Sequence, residues 1–166
     1  MALSKLVSGQ LPFLGLMRLW RISQYPGLTG IGGNFVDGRW HTKPRNIIYV
    51  AEHPALAMVE VLAHMHLTAA TMPTSLKLLA VDIKNGATMS LAPNLPSGWQ
   101  ANRPTTQALG NAGLNGASGL LLKCPSAVLP ESYNYLINPL HKQATTHLLE
   151  TDMGPYWVDP RFIRVY

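Results

Sequence analysis

The stretch Asn46-Ile47-Ile48-Tyr49-Val50-Ala51, followed at once by His53-Pro54 and a run to Leu67, decides the fold class. Its first half is a short β-branched apolar run, the pattern of a buried strand. Pro54 has a φ already set for helix and no N–H to leave unpaired in a first turn, so a helix is predicted from Pro54 to about Leu67. Outward from this unit, Leu19-Trp20-Arg21-Ile22-Ser23 alternates like a half-buried strand. Further strands are expected at Leu76–Ile83, Gly119–Val128 and Tyr133–Ile137, and short helical pieces near Pro93–Trp99 and Thr105–Leu109. Between Tyr25 and Asn34, four glycines in seven residues (Gly27, Gly30, Gly32, Gly33) mark a loop. Strands outnumber helices, with neither regular βα alternation nor an internal repeat. The expectation is a single, strand-rich α+β domain.

Length and composition agree. A chain of 166 residues suits one core, and 47% hydrophobic residues exclude whole-chain disorder. Charged residues make up only 13%, with a net charge of +5, against an average of roughly 25% charged. A surface so poor in charge suggests that a partner or a second copy covers part of it. Cys124 is the only cysteine, and no Asn-x-Ser/Thr site is present, so a cytoplasmic location is the default. No run reaches the ~18 apolar residues of a membrane span. The segment from Lys5 to Trp20 lacks a small-x-small cleavage site and runs into Arg18 and Arg21. Residues 1–17 are therefore expected to be a poorly ordered leader, with the domain occupying 18–166.

Several chemistries lose their support on inspection. Gly30-Ile31-Gly32-Gly33 does not continue as a dinucleotide fingerprint, and Gly33 to Trp40 has P-loop spacing with Arg39 and Trp40 in place of the required Lys and hydroxyl. These glycines serve either a tight turn or close approach to a ligand. His64 and His66, two apart on a helix, point about 200° from one another and cannot share one ion. No metal is expected. Cys124 reads as strand packing, and no serine has a hydrolase context. The basic residues beyond position 45 are dispersed singly, so no nucleic-acid groove is expected. Arg39, His41, Lys43 and Arg45 alternate; if extended, they form either a phosphate seat or a charged edge strand. Glu60 borders the stripe Leu56, Val59, Leu62 and Leu67, so its carboxylate is either at a cleft or in a surface pair with His64.

Leu19-Trp20-Arg21-Ile22, Gly38-Arg39-Trp40-His41, Ile48-Tyr49-Val50-Ala51-Glu52, Ala57-x-x-Glu60-x-Leu62, Pro125-Ser126-Ala127-Val128 and Asn134-Tyr135-Leu136-Ile137-Asn138-Pro139 occur in this order, closed by Val158-Asp159-Pro160-Arg161. From Leu19 to Arg161 the chain resembles the RES-domain family, toxins of bacterial RES–Xre toxin–antitoxin pairs. The arginine, glutamate and serine for which the family is named fall on Arg39, Glu60 and Ser126, and its functional tyrosine on Tyr49. The resemblance implies a fold similar to ADP-ribosyltransferases and cleavage of the nicotinamide–ribose bond of NAD, by hydrolysis or phosphorolysis. Transfer of ADP-ribose to a protein is the alternative, and a non-catalytic antitoxin-binding regulator a third. It implies an Xre-type helix-turn-helix antitoxin as partner, NAD as substrate and no metal. Glu60 would be the catalytic carboxylate, Arg39 the phosphate fork, Tyr49 a ring stacking on nicotinamide, and Ser126 a hydrogen-bond partner of the ribose or carboxamide.

Overall fold

The computed structural model describes residues 11–12, 15–65, 71–115 and 119–163. The strands are β1 (Leu11–Pro12), β2 (Met17–Ser23), β3 (Ile48–Ala51), β4 (Lys77–Ile83), β5 (Thr88–Leu91), β6 (Leu121–Pro125), β7 (Tyr133–Ile137) and β8 (Leu148–Pro155). The helices are α1 (Pro54–Met65), α2 (Arg103–Asn115) and the single turn α3 (Ala144–His147). The strands form one mixed sheet in the order β1-β5-β6-β7-β3-β2-β4-β8. Among the described residues only the β5–β6 pair is parallel. The α+β expectation is met.

The sheet is nearly divided. β2 pairs with β4 at every position from Met17–Ile83 to Ser23–Lys77, and β3 pairs with β7 from Ile48–Ile137 to Ala51–Asn134. Between β2 and β3 only Trp20 and Ala51 are in register. The two halves diverge from that point, and α1 lies over the opening.

Side-chain alternation sorts the strands onto two faces. Leu19, Ile48, Val50, Val81, Ile83, Leu121 and Ile137 form one buried cluster. On the opposite face α1 buries Leu56 and Ala57 against Ile22, Ala51, Leu76 and Val158, with Met58, Val61 and Leu62 beside them. Val59, expected in the apolar stripe, is not part of that cluster, and Leu67 lies outside the described residues. On the same side α2 places Leu114 against Trp40, Leu122, Cys124 and Leu136. The packing reading of Cys124 is correct: it is fully buried in β6.

Helix boundaries follow local chemistry. The His53 ring caps α1, its Nδ1 accepting from the Ala55 N–H at 3.1 Å, while Pro54 fills the first helical position. The piece expected at Thr105–Leu109 extends to thirteen residues, because Asn102 caps it through Thr105 N–H and its far end is held by packing. Gly110 allows α2 to lie directly on the Trp40 carbonyl, where any Cβ would collide. The helix expected at Pro93–Trp99 is absent; only a 3-10 turn at Trp99–Ala101 forms, since the prolines at 93 and 96 remove donors. β5 and the exposed edge strand β8 carry no clean period-two pattern and were not anticipated. Leu11–Pro12 of the expected leader pairs with Met89–Thr88. Among the described residues no helix is long and apolar enough to cross a membrane.

Candidate active site

A cleft of about 710 Å³ opens where β2 leaves β3. Its walls come from α1 (Glu60, His64), β3 (Tyr49, Ala51), β7 (Asn134), Arg103 at the start of α2, and the loop that carries Gly32, Gly33, Arg39 and His41. A recess of about 30 Å³ adjoins it, sharing Arg39, Tyr49, Glu60, His64 and Asn134 and walled by Ala127 and Val128. The volume falls within the usual range for small-ligand sites, roughly 300–1,000 Å³.

Glu60 is held from three sides. Ser126 Oγ donates to its Oε1 at 2.8 Å and Asn134 Nδ2 to the same oxygen at 2.5 Å. His64 Nε2 lies 3.3 Å from Oε2. Both alternatives read from the sequence therefore hold at once: the carboxylate faces a cleft and pairs with His64. Burial pushes the Glu60 carboxyl upward, but the bonds from His64, Asn134 and Ser126 outweigh it and hold the group below its ordinary value. Glu60 is ionised at neutral pH, the state needed to stabilise a developing cation.

Ser126, at the end of β6, is buried, and its oxygen accepts from Val128 N–H at 3.2 Å and Leu129 N–H at 3.0 Å. With those donors fixed, its own proton goes to Glu60. In this structure Ser126 contacts the carboxylate and the turn that follows it.

The Tyr49 hydroxyl accepts from Trp40 N–H at 3.1 Å and shares a second hydrogen bond, 2.8 Å long, with His41 Nδ1. Burial lowers the His41 pKa and raises that of the Tyr49 phenol, so both stay neutral. The Tyr49 hydroxyl thus ties down the 38–41 loop while the residue lines the cleft.

The alternating cations do not share a face. Residues 41–47 form a loop rather than a strand: α2 takes the carbonyls just before it, from Asp37 to His41, while Lys43 N–H goes to Asp37 Oδ1 and the N–H groups of Arg45 and Ile47 go to the Gly33 and Gly30 carbonyls. Arg103 binds the Asp37 and Gly38 carbonyls, Gln107 those of Gly38 and His41, and Thr106 Oγ1 that of Arg39. Arg39 Nη1 donates to the Gln100 carbonyl at 2.7 Å, and Arg45 turns away to Asn115. Of the four, Arg39 and His41 reach the cleft. Among the described residues Arg39 has no carboxylate partner, which leaves its charge available to an anion.

Arg39, Tyr49 and Glu60 are thus brought together at the cleft, with Ser126 behind Glu60. Asn134, Thr106, Gln107 and Arg103 were not singled out as site residues from sequence. A polar residue inside the apolar run Tyr133–Ile137 was the available signal for Asn134. The α2 residues, at 103, 106 and 107, follow helical spacing, but nothing local says what they face.

A split mixed sheet whose cleft is lined by an ionised, anchored carboxylate and a guanidinium defines an α+β domain with a polar site between the halves of its sheet. Residues 18–159 match the family model of the RES domain, and the chain belongs to the RES-domain family, as the sequence resemblance implied. A protein named Toxin Res from Pseudomonas putida is 41% identical over 136 residues, covering 82% of this chain and 94% of its own. Toxin Res from Yersinia enterocolitica is 33% identical, covering 80% and 88%. A Prs ADP-ribosylating toxin from Sphingobium is 29% identical over 157 residues, covering 87% and 96%. The fold is shared with a chain in the crystal structure of the M. tuberculosis MbcT–MbcA toxin–antitoxin complex (TM-score 0.65, 19% identity, 89% and 88% covered).

Proposed function

We propose that this chain is the toxin of a toxin–antitoxin pair and that it degrades NAD in the cytoplasm by cleaving the nicotinamide–ribose bond. The observation that carries the reading is the Glu60 carboxylate, kept ionised by three donors in a cleft that Arg39 also lines. Breaking the C1′–N bond sends the bonding pair to the pyridinium ring, which leaves as neutral nicotinamide, and positive charge develops on the ribose. A fixed carboxylate stabilises that charge and accepts a hydrogen bond from a ribose hydroxyl. Arg39 pairs its planar fork with the pyrophosphate, and the Tyr49 ring packs on the nicotinamide. Ser126 acts through Glu60. The acceptor that closes the reaction is water or phosphate, losing its proton as the new bond to C1′ forms. The domain proper runs from about residue 18, and the segment before it takes no part in the chemistry.

A second reading, transfer of ADP-ribose to a protein, draws support from similarity to the Sphingobium protein, whose name describes that activity. In either case the partner is a small antitoxin of the Xre helix-turn-helix type that covers the cleft. Support comes from the surface low in charge and from the fold shared with a chain of a toxin–antitoxin complex. The test is to incubate the purified chain with NAD, alone, with phosphate and with cell lysate, and to identify products. Free nicotinamide with ADP-ribose, or with ADP-ribose 1″-phosphate when phosphate is present, is expected. Label appearing on one lysate protein, with no free ADP-ribose product, would favour the second reading. Intact NAD under all three conditions would end both.

A further inference from the structure

We propose that Asn134 is a positioning residue for Glu60: together with Ser126 it occupies Oε1 fully and leaves Oε2 as the oxygen that meets the ribose. The inference deepens the reading of Glu60 given above and rests on it for the identity of the ligand, but its geometric part stands alone.

A carboxylate oxygen has two in-plane lone pairs. Both on Oε1 are taken, one by Ser126 Oγ at 2.8 Å and one by Asn134 Nδ2 at 2.5 Å. These donors come from different strands, the end of β6 and the start of β7, so together they stop rotation of the carboxylate plane. Ser126 and Asn134 are both buried, and the backbone of each is fixed, Ser126 by Ser132 and Asn134 by its register opposite Ala51 and Cys124. Oε2 is held differently. Its partner is His64, whose side chain is 58% exposed at 3.3 Å, on the last turn of α1. A ligand hydroxyl can displace an exposed imidazole far more cheaply than it can displace two buried donors.

The residue type fits the task. A buried amide opposite Ala51 and Cys124 costs free energy unless its hydrogen bonds are made. Leucine would leave a lone pair of Oε1 without a donor. Aspartate, nearly the same size, would place a second carboxylate against the first, and two such groups cannot both stay ionised.

The experiment follows the Glu60 side-chain carboxyl by 13C NMR titration, its signal identified by loss in Glu60→Gln, in the wild-type chain and in Asn134→Ala and Asn134→Asp. The same proteins are assayed for NAD cleavage across pH. In the wild type the carboxyl should titrate below the ordinary glutamate range. Asn134→Ala should raise its midpoint, and Asn134→Asp should raise the upper midpoint of the resulting pair by a unit or more, as like charges in contact do. Turnover should fall at least tenfold in Asn134→Ala, with KM for NAD changed less than about threefold, the mark of a group acting in the transition state. In Asn134→Asp, activity should gain a new basic limb, because at low pH the shared proton restores a donor to Glu60. A merely structural asparagine would lower melting temperature without moving the carboxyl titration. If Asn134→Ala does not fold, the near-isosteric Asn134→Asp carries the measurement. An unchanged Glu60 titration in folded variants, or a wild-type midpoint at or above the ordinary value, overturns the proposal. The expected NMR shifts without any NAD cleavage would uphold the positioning role and overturn only the identity of the ligand.

Discussion

Trp20 on β2 and Ala51 on β3 are the one pair through which the two halves of the sheet touch in register. Everything beyond that contact diverges, and the divergence makes the cleft. Ala51 also lies opposite Asn134 on the next strand, so one step across the sheet leads from the split to the anchor of Glu60.

Gly110→Ala should destabilise the domain and weaken substrate binding. Alanine in a helix interior gains roughly 0.5–1 kcal/mol over glycine, but here the methyl would meet the Trp40 backbone carbonyl, which cannot swing aside. Overpacking of that kind costs about 1–3 kcal/mol, so the net effect is a loss. Urea denaturation measures the first effect. A raised KM for NAD measures the second, since α2 sets the loop of Arg39.

Arg39→Lys keeps the charge and loses the bidentate fork. The phosphate contact weakens in ground and transition states alike, so KM should rise with kcat little altered, by at most about 1.5–3 kcal/mol. Steady-state kinetics with NAD separate the two constants, and a defect confined to kcat would move Arg39 from substrate holder to catalyst.

Acid should erode stability in two stages. Burial depresses the His41 pKa, so below the ordinary histidine value of 6.5 the unfolded chain binds a proton that the native chain refuses, and stability falls as pH drops. Glu60 is depressed below its ordinary 4.5, so its contribution is complete above that value and lost as pH falls through its native pKa. Turnover should accordingly stay flat from neutral to about pH 5 if Glu60 alone governs it. Urea midpoints and saturated rates measured from pH 8 to pH 4 check both.

A chain beginning at Met17 should keep its activity. Among the described residues before Met17, the sheet includes the two-residue pairing of Leu11–Pro12 with the edge of β5, remote in the sheet order from β3 and β2, and the family match begins at residue 18. Loss of NAD turnover on truncation would show that this edge matters.

The strand–helix unit around Tyr49 and Glu60 was legible because its periods are strong and Pro54 marks the boundary. β7 was legible to the residue, as an apolar run bounded by polar turns. β8 was not, because an exposed edge strand with Glu150, Thr151 and Asp152 in its middle lacks an apolar face to alternate. The cation series from Arg39 to Arg45 misled for a related reason. Alternation suggests a strand only if a neighbouring strand pairs with it, and here the donors of α2 claim the backbone instead. Asn134 stood in plain view, but its partner is 74 residues away. Local pattern carries no information at that distance.

The central claim is that an ionised Glu60 carboxylate drives cleavage, and Glu60→Gln tests it most directly. Glutamine keeps the size and can still accept from Ser126 and Asn134, but it removes the charge that matters once the ribose becomes cationic. With kcat and KM for NAD measured side by side, turnover should fall on the order of 10²–10³ with KM little changed. A Glu60→Gln protein that turns NAD over at a near-normal rate would contradict the account.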